Sequence, residues 1–140
     1  MEVRYIRTGK PLETNFPHSP LRVMPYAHGV AAKGGTWILL SGAVAFDEHG
    51  MVVGPGDIGA QASQCYQNIR DTLAAAGATA NDIIKENVWV TDMGQYLAKV
   101  SKIRADFYAG RDFPANTLIE VKGLSVKDLM IEIEVIAVKE

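Results

Sequence analysis

Apolar positions along the chain follow two rhythms, and the switches between them divide it into strands and helices. Val3-Arg4-Tyr5-Ile6 alternates with a period of two and predicts a short edge strand. Pro11, Pro17, Pro20 and Pro25 then punctuate the chain, so residues 8–25 are expected to be mostly loop. Tyr26 to Ala32 predicts a second strand, closed by a hairpin turn at Lys33-Gly34-Gly35. Thr36-Trp37-Ile38-Leu39-Leu40 is a nearly continuous apolar run, as expected of a buried strand, and it ends at Ser41-Gly42. Residues 47–56 form a turn region. From there Ile58, Ala62, Cys65, Ile69, Leu73 and Ala76 recur at steps of four, three, four, four and three, the stripe of one helix face. Asp57 can cap this helix through its carboxylate, and Gly77 is its natural stop. Ile83 to Thr91 returns to β character. Residues 94–109 predict a second helix with Leu97, Val100, Ile103 and Phe107 on one face, Pro114 to Val121 a short strand, and Met130 to Val138 the last strand.

The order is β-β-β-α-β-α-β-β, a mixed α/β domain over residues 1–140 with an irregular N-terminal segment at 1–21. Two helices can cover only one face of a sheet. The last strand carries Ile131, Ile133, Val135 and Ala137 on one face, and Met130, Glu132, Glu134, Ile136 and Val138 on the other. That second face is too apolar for water and also bears carboxylates. Oligomerisation would bury it, and its polar groups would then line an intersubunit pocket.

Composition narrows the function classes. The chain has 140 residues, 14 Lys+Arg against 16 Asp+Glu (14 − 16 = −2), and 48% hydrophobic residues, as in an ordinary globular protein. A single cysteine, Cys65, allows no intrachain disulfide, and His18, His28 and His49 lie too far apart for zinc spacing, so no metal is expected. The longest uncharged stretch, Gly34 to Phe46, falls short of the ~20 residues a membrane span needs. Met1-Glu2-Val3-Arg4 offers no apolar signal-peptide core, so the expected address is the cytoplasm. A pI near 5.9 without a basic run argues against nucleic acid as a partner.

Several positions could carry chemistry, each with a plainer alternative. Ser41-Gly42 at a strand end could let a ligand approach the backbone, or could be a strand-to-turn junction. Glu132 and Glu134 share a strand face, where a semi-buried carboxylate can act as acid or base, or they are solvated charges. The Tyr26 phenol could position a water or substrate oxygen, or could simply pack. His28 is a weaker candidate base. Cys65 falls on the apolar helix stripe and reads as core, as do Trp37 and Trp89. Gly54-Pro55-Gly56-Asp57 lacks the Lys and Ser/Thr of a phosphate loop and reads as a turn and cap.

The run Pro114-Ala115-Asn116-Thr117-Leu118-Ile119-Glu120-Val121, followed by Met130-Ile131-Glu132-Ile133-Glu134, resembles the signature of the RidA/YjgF/UK114 (Rid) family. Pro25-Tyr26, Leu39-Leu40-Ser41-Gly42, the helix from Gln61 to Gly77, and Asp82-Ile83-Ile84-Lys85 leading to Thr91-Asp92 follow in the family order, so the likeness spans about residues 22 to 139. It implies a chorismate-mutase-like fold: a six-stranded mixed sheet with two helices on one face, assembled as a homotrimer with small-molecule pockets between subunits. It also implies hydrolysis of reactive imines and enamines, such as 2-aminoacrylate, to the keto acid and ammonia, with no cofactor. Tyr26, Ser41, Gly42 and Glu132 match pocket residues, with Glu132 activating the water and Gly42 meeting substrate through its backbone.

The chain departs from the deaminase pattern at its anion-binding end. The arginine that pairs with a substrate carboxylate is Asn116 here, a common cysteine is Leu118, and the usual asparagine of the second helix is Ser101. A neutral amide cannot supply the arginine's charged fork, which would cost a carboxylate ligand on the order of 2–5 kcal/mol. Arg22 is either a substitute or a surface charge. The expectation is therefore a Rid-like hydrolase for a larger or less anionic imine or enamine, not the standard 2-aminoacrylate deaminase, with a non-catalytic small-molecule-binding or chaperone-like trimer as the alternative.

Overall fold

The computed structural model describes residues 1–7 and 26–140; the expected 8–25 loop, Pro25 and Arg22 lie outside the described residues. Its strands are β1 (Glu2–Ile6), β2 (Gly29–Lys33), β3 (Thr36–Leu39), β4 (Ala43–Val44), β5 (Ile83–Val90), β6 (Ala115–Glu120) and β7 (Ile131–Lys139). Its α-helices are α1 (Ile58–Ala75), α2 (Met93–Lys99) and α3 (Ser101–Phe107), and a 3₁₀ turn spans Ala80–Asp82. The main sheet runs β3-β7-β5-β6, with β4 continuing the β3 edge against β7, while β1 and β2 form a separate two-stranded ladder. Strands β5 and β6 are parallel and the other pairs antiparallel. The mixed α+β class stands.

Several expectations change in detail. The sheet is not one six-stranded unit: the β1–β2 ladder adjoins the main sheet through an isolated bridge between Ala27 and Ala115. Gly34 and Gly35 turn the chain at positive φ, yet no β2–β3 hairpin forms, because β2 pairs with β1 and β3 with β7. The expected second helix breaks at Val100, where the Ser101 hydroxyl donates to the Leu97 carbonyl at 3.2 Å.

The core lies between the sheet and the helices. Ile131, Ile133, Val135 and Ala137 of β7 are all fully buried against the α1 stripe of Ile58, Ala62, Cys65, Ile69 and Leu73. Asp57 caps α1 through the Ala60 N–H, as expected. At the other end, Gly77 N–H donates to Ala74 and Ala78 N–H to Leu73, closing the helix with Gly77 at φ 69°. Ala76 is the cap and is exposed, off the stripe it was expected to join.

The opposite sheet face has no cover within the described residues. Trp37 is 53% exposed and Leu39 70%, and half-buried Trp89 and Ile136 lie on the same side. Trp37 is therefore not core, and β3 is buried on one side only. An apolar run does not reveal which of its residues face the helices.

Candidate functional site

The expected site residues fall on opposite edges of the main sheet. At one edge, residues 40–42 interrupt β3 and β4, while Leu40 N–H still reaches the Val135 carbonyl at 3.2 Å. Val44 pairs with Glu132, so the Glu132 side chain emerges on the uncovered face beside the interruption. There it meets Gly42. A Cβ on Gly42 would overlap Glu132 Oε1 outright and stand 2.8 Å from Cδ, so only a glycine leaves room for the carboxylate. Glu132 is half-buried and makes no hydrogen bond or ion pair among the described residues. Its neighbour Glu134 differs, accepting from Asn87 Nδ2 at 3.2 Å. An uncommitted carboxylate held against backbone is free to take a proton from water. Ser41 is exposed, and with Gly42 it forms part of a groove of ≈ 430 Å³ between this edge and α1.

Asn116 and Leu118 lie at the other edge. They pair with Glu86 and Val88 and therefore share the helix-covered face. Between β4 and β6 stand β7 and β5, which puts three strand spacings, about 14 Å, between Gly42 and Asn116. Tyr26 belongs to the Asn116 edge, because the next residue, Ala27, donates to the Pro114 carbonyl at 3.2 Å. Its ring stands edge-on to His28 at 6.5 Å. Ser101 opens α3 and directs its hydroxyl back to Leu97. Thus, among the described residues, Ser41, Gly42 and Glu132 come together on one edge, and Tyr26, Asn116 and Leu118 gather on the other.

A buried polar cluster beneath β6 was not expected. Glu86 is fully buried and Arg104 is 4% exposed, and Arg104 Nε donates to Glu86 Oε2 at 2.7 Å. The Tyr66 hydroxyl donates to Glu86 Oε1 at 2.7 Å, and Asn116 Nδ2 to Oε2 at 3.1 Å. The Arg104 guanidinium lies 5.3 Å from the Tyr108 and Phe113 ring centres. Burial disfavours its charge, but Glu86 together with Tyr66, Tyr96 and Tyr108 outweighs that and raises its pKa. The Tyr66 and Tyr108 hydroxyls are held well above the ordinary phenol range, first by burial and then by the Glu86 carboxylate. The sequence held a signal for this cluster. Glu86 has the inward parity of Ile84, Val88 and Val90, and Arg104 stands four after Val100 and three before Phe107 on the helix stripe.

Cys65 is fully buried core, as expected, and burial followed by the Glu132 charge pushes its thiol up to about 12. Among the described residues no group of three or more His, Cys, Asp or Glu side chains is arranged to hold a metal. No helix among them is long and apolar enough to cross a membrane.

The model of the endoribonuclease L-PSP family matches residues 16–139 of this chain. The chain belongs to the RidA/YjgF family. Among the similar proteins, a RutC family protein of Pyrococcus horikoshii is 36% identical over 123 residues, 88% of this chain and 94% of the relative. The 2-iminobutanoate/2-iminopropanoate deaminase of Escherichia coli K12 is 36% identical over 124 residues, covering 87% of this chain and 93% of that enzyme. Among solved structures, a Rid family protein of unknown function from Yersinia pestis superposes with a TM-score of 0.84 at 29% identity, covering 99% of this chain and 100% of that one.

Proposed function

We propose that this Rid protein hydrolyses a reactive imine or enamine in pockets shared between the chains of a cytoplasmic homotrimer. The observation that carries the proposal is the uncommitted Glu132 carboxylate seated against Gly42. The similarity to a 2-iminobutanoate/2-iminopropanoate deaminase supplies the reaction class. Glu132 takes a proton from water as the oxygen attacks the imine carbon. The proton passes to nitrogen, the C–N bond breaks, and ammonia leaves a carbonyl compound behind. Ser41 and the Gly42 backbone orient the substrate, Tyr26 donates from its phenol, and no cofactor takes part.

The sheet geometry supports a shared pocket. Gly42 and Asn116 stand too far apart in one chain to touch one small molecule. Two chains packed through the uncovered face could set the Glu132 edge of one against the edge of its neighbour bearing Tyr26, Asn116, Leu118 and Ser101. Burial of Trp37, Leu39, Ile119 and Ile136 would stabilise that assembly. The test is ammonia release from imines generated in situ, with carboxylate-bearing and neutral members. Glu132→Gln should lower turnover about 10²–10⁴-fold while leaving the assembly intact in sedimentation. An unimpaired variant overturns the mechanism. Absence of turnover on every imine, with retained ligand binding, would favour a small-molecule-binding trimer.

A further inference from the structure

The groups at the β6 edge that could grip an anion are already occupied by a carboxylate of the chain itself. Glu86 Oε2 accepts from both Arg104 Nε at 2.7 Å and Asn116 Nδ2 at 3.1 Å, while Oε1 accepts from the Tyr66 hydroxyl at 2.7 Å. A carboxylate is tolerated in a core only when paired and hydrogen-bonded in this way. The orientation of Asn116 follows from chemistry. A carboxylate ion-paired with arginine only accepts, so the amide must turn its NH₂ group towards Glu86 and its carbonyl oxygen away. Among the described residues that oxygen accepts no hydrogen bond, and Asn116 is only half-buried. Position 116 thus offers a ligand an acceptor. An acceptor pairs with an N–H donor and opposes carboxylate oxygens.

We propose that Glu86, by engaging Asn116 and Arg104 from within, makes this pocket select substrates whose polar end is a neutral, hydrogen-bond-donating carboxamide rather than a free carboxylate. The substrate class is then an α-imino or enamine compound bearing an amide. The inference rests on the reading above for the placement of substrate against Asn116, and it adds what that edge recognises. Asn116 is the contact residue, and Glu86 and Arg104 are positioning residues behind it.

Pyruvamide and pyruvate share one skeleton and differ in the group at issue, so binding of each to the full chain by calorimetry is the direct test. Pyruvamide should bind at least about tenfold more tightly, the scale of one well-made hydrogen bond against a repelled one. Glu86→Gln should raise pyruvate affinity and narrow or invert the ratio, because it removes the internal carboxylate that competes with the ligand's. Should that variant fail to fold, Asn116→Leu provides the second reading: it removes the acceptor and should bring the ratio close to one. Pyruvate binding as tightly as pyruvamide to the unaltered chain would overturn the inference. So would a ratio unchanged by Asn116→Leu, or no binding of either probe. Ammonia release from the imines of the same two probes reads the chemistry separately. Binding selectivity without turnover would sustain the amide preference while removing the hydrolase reading.

Discussion

Replacing Arg104 by Leu tests how far the buried cluster holds this chain together. The change deletes the Nε–H that meets Glu86 Oε2 at 2.7 Å and leaves a fully buried carboxylate with only Tyr66 and Asn116 as donors. Breaking one partner of a buried pair costs about 3–5 kcal/mol, since the other charge is left uncompensated. The guanidinium also lies 5.3 Å from two aromatic rings, which accounts for about 0.5–2 kcal/mol of separate stabilisation. In the double variant Glu86→Gln/Arg104→Leu no charge is stranded, and a Gln carbonyl can still accept from Tyr66 or Asn116. The double variant should therefore recover more than half of the single loss, short by roughly the aromatic contribution. Urea unfolding followed by fluorescence, at one fixed protein concentration because assembly shifts midpoints, gives both numbers. A single-variant loss below about 1 kcal/mol, or a double-variant loss equal to the sum of both singles, would refute the reasoning.

Other expectations follow from the two sheet edges and the core. Gly42→Ala should displace the Glu132 carboxylate while scarcely disturbing the fold, since the atoms it meets end a flexible side chain. Steady-state kinetics should then show about a 10²-fold loss of turnover with little change in melting temperature. Leu39→Asp puts a charge on a side chain that is 70% exposed in the single chain. Sedimentation should show dissociation with the monomer's circular dichroism retained; intact assembly would mean that this face is not the contact. Cys65 is raised from 9.0 to about 12 in the folded chain. Its contribution to stability is complete below pH 9.0 and is lost as pH climbs towards 12, because the unfolded thiol ionises first. Unfolding midpoints should fall across that window by less in Cys65→Ala, and thiol reagents at pH 8 should label only unfolded chain.

What could be read from the sequence was whatever a local rhythm encodes. The β7 alternation, the α1 stripe, the Asp57 cap and the Gly77 stop all follow from the residues beside them, and all stand in the fold. Which strands pair depends on distant partners, so β2 found β1 and β3 found β7 despite the glycine turn between them. The break before Ser101 was hidden because the apolar face continues across it. For the site, Glu132 and Gly42 were found as separate positions, but their contact depends on the β4–β7 register. Asn116 was legible as a departure from the family pattern. Its commitment to Glu86 was not, because two charged residues at inward-facing positions look like a lapse in patterning until they are seen together.

The width of the sheet also bears on how such a chain can change over generations. Under the proposed function the water-activating carboxylate belongs to one margin and the residue at position 116 to the other, with two strands and about 14 Å between them in a single chain. Within one chain, substitutions at that separation share no side-chain partner, so their effects on folding stability should combine nearly additively. A lineage can thus exchange the residue at position 116, or the buried pair behind it, without re-solving the fit between Gly42 and Glu132. If the proposed roles hold, a change of ligand at position 116 and upkeep of the Gly42–Glu132 fit place separate demands on packing within the chain, and the two histories can proceed at their own pace.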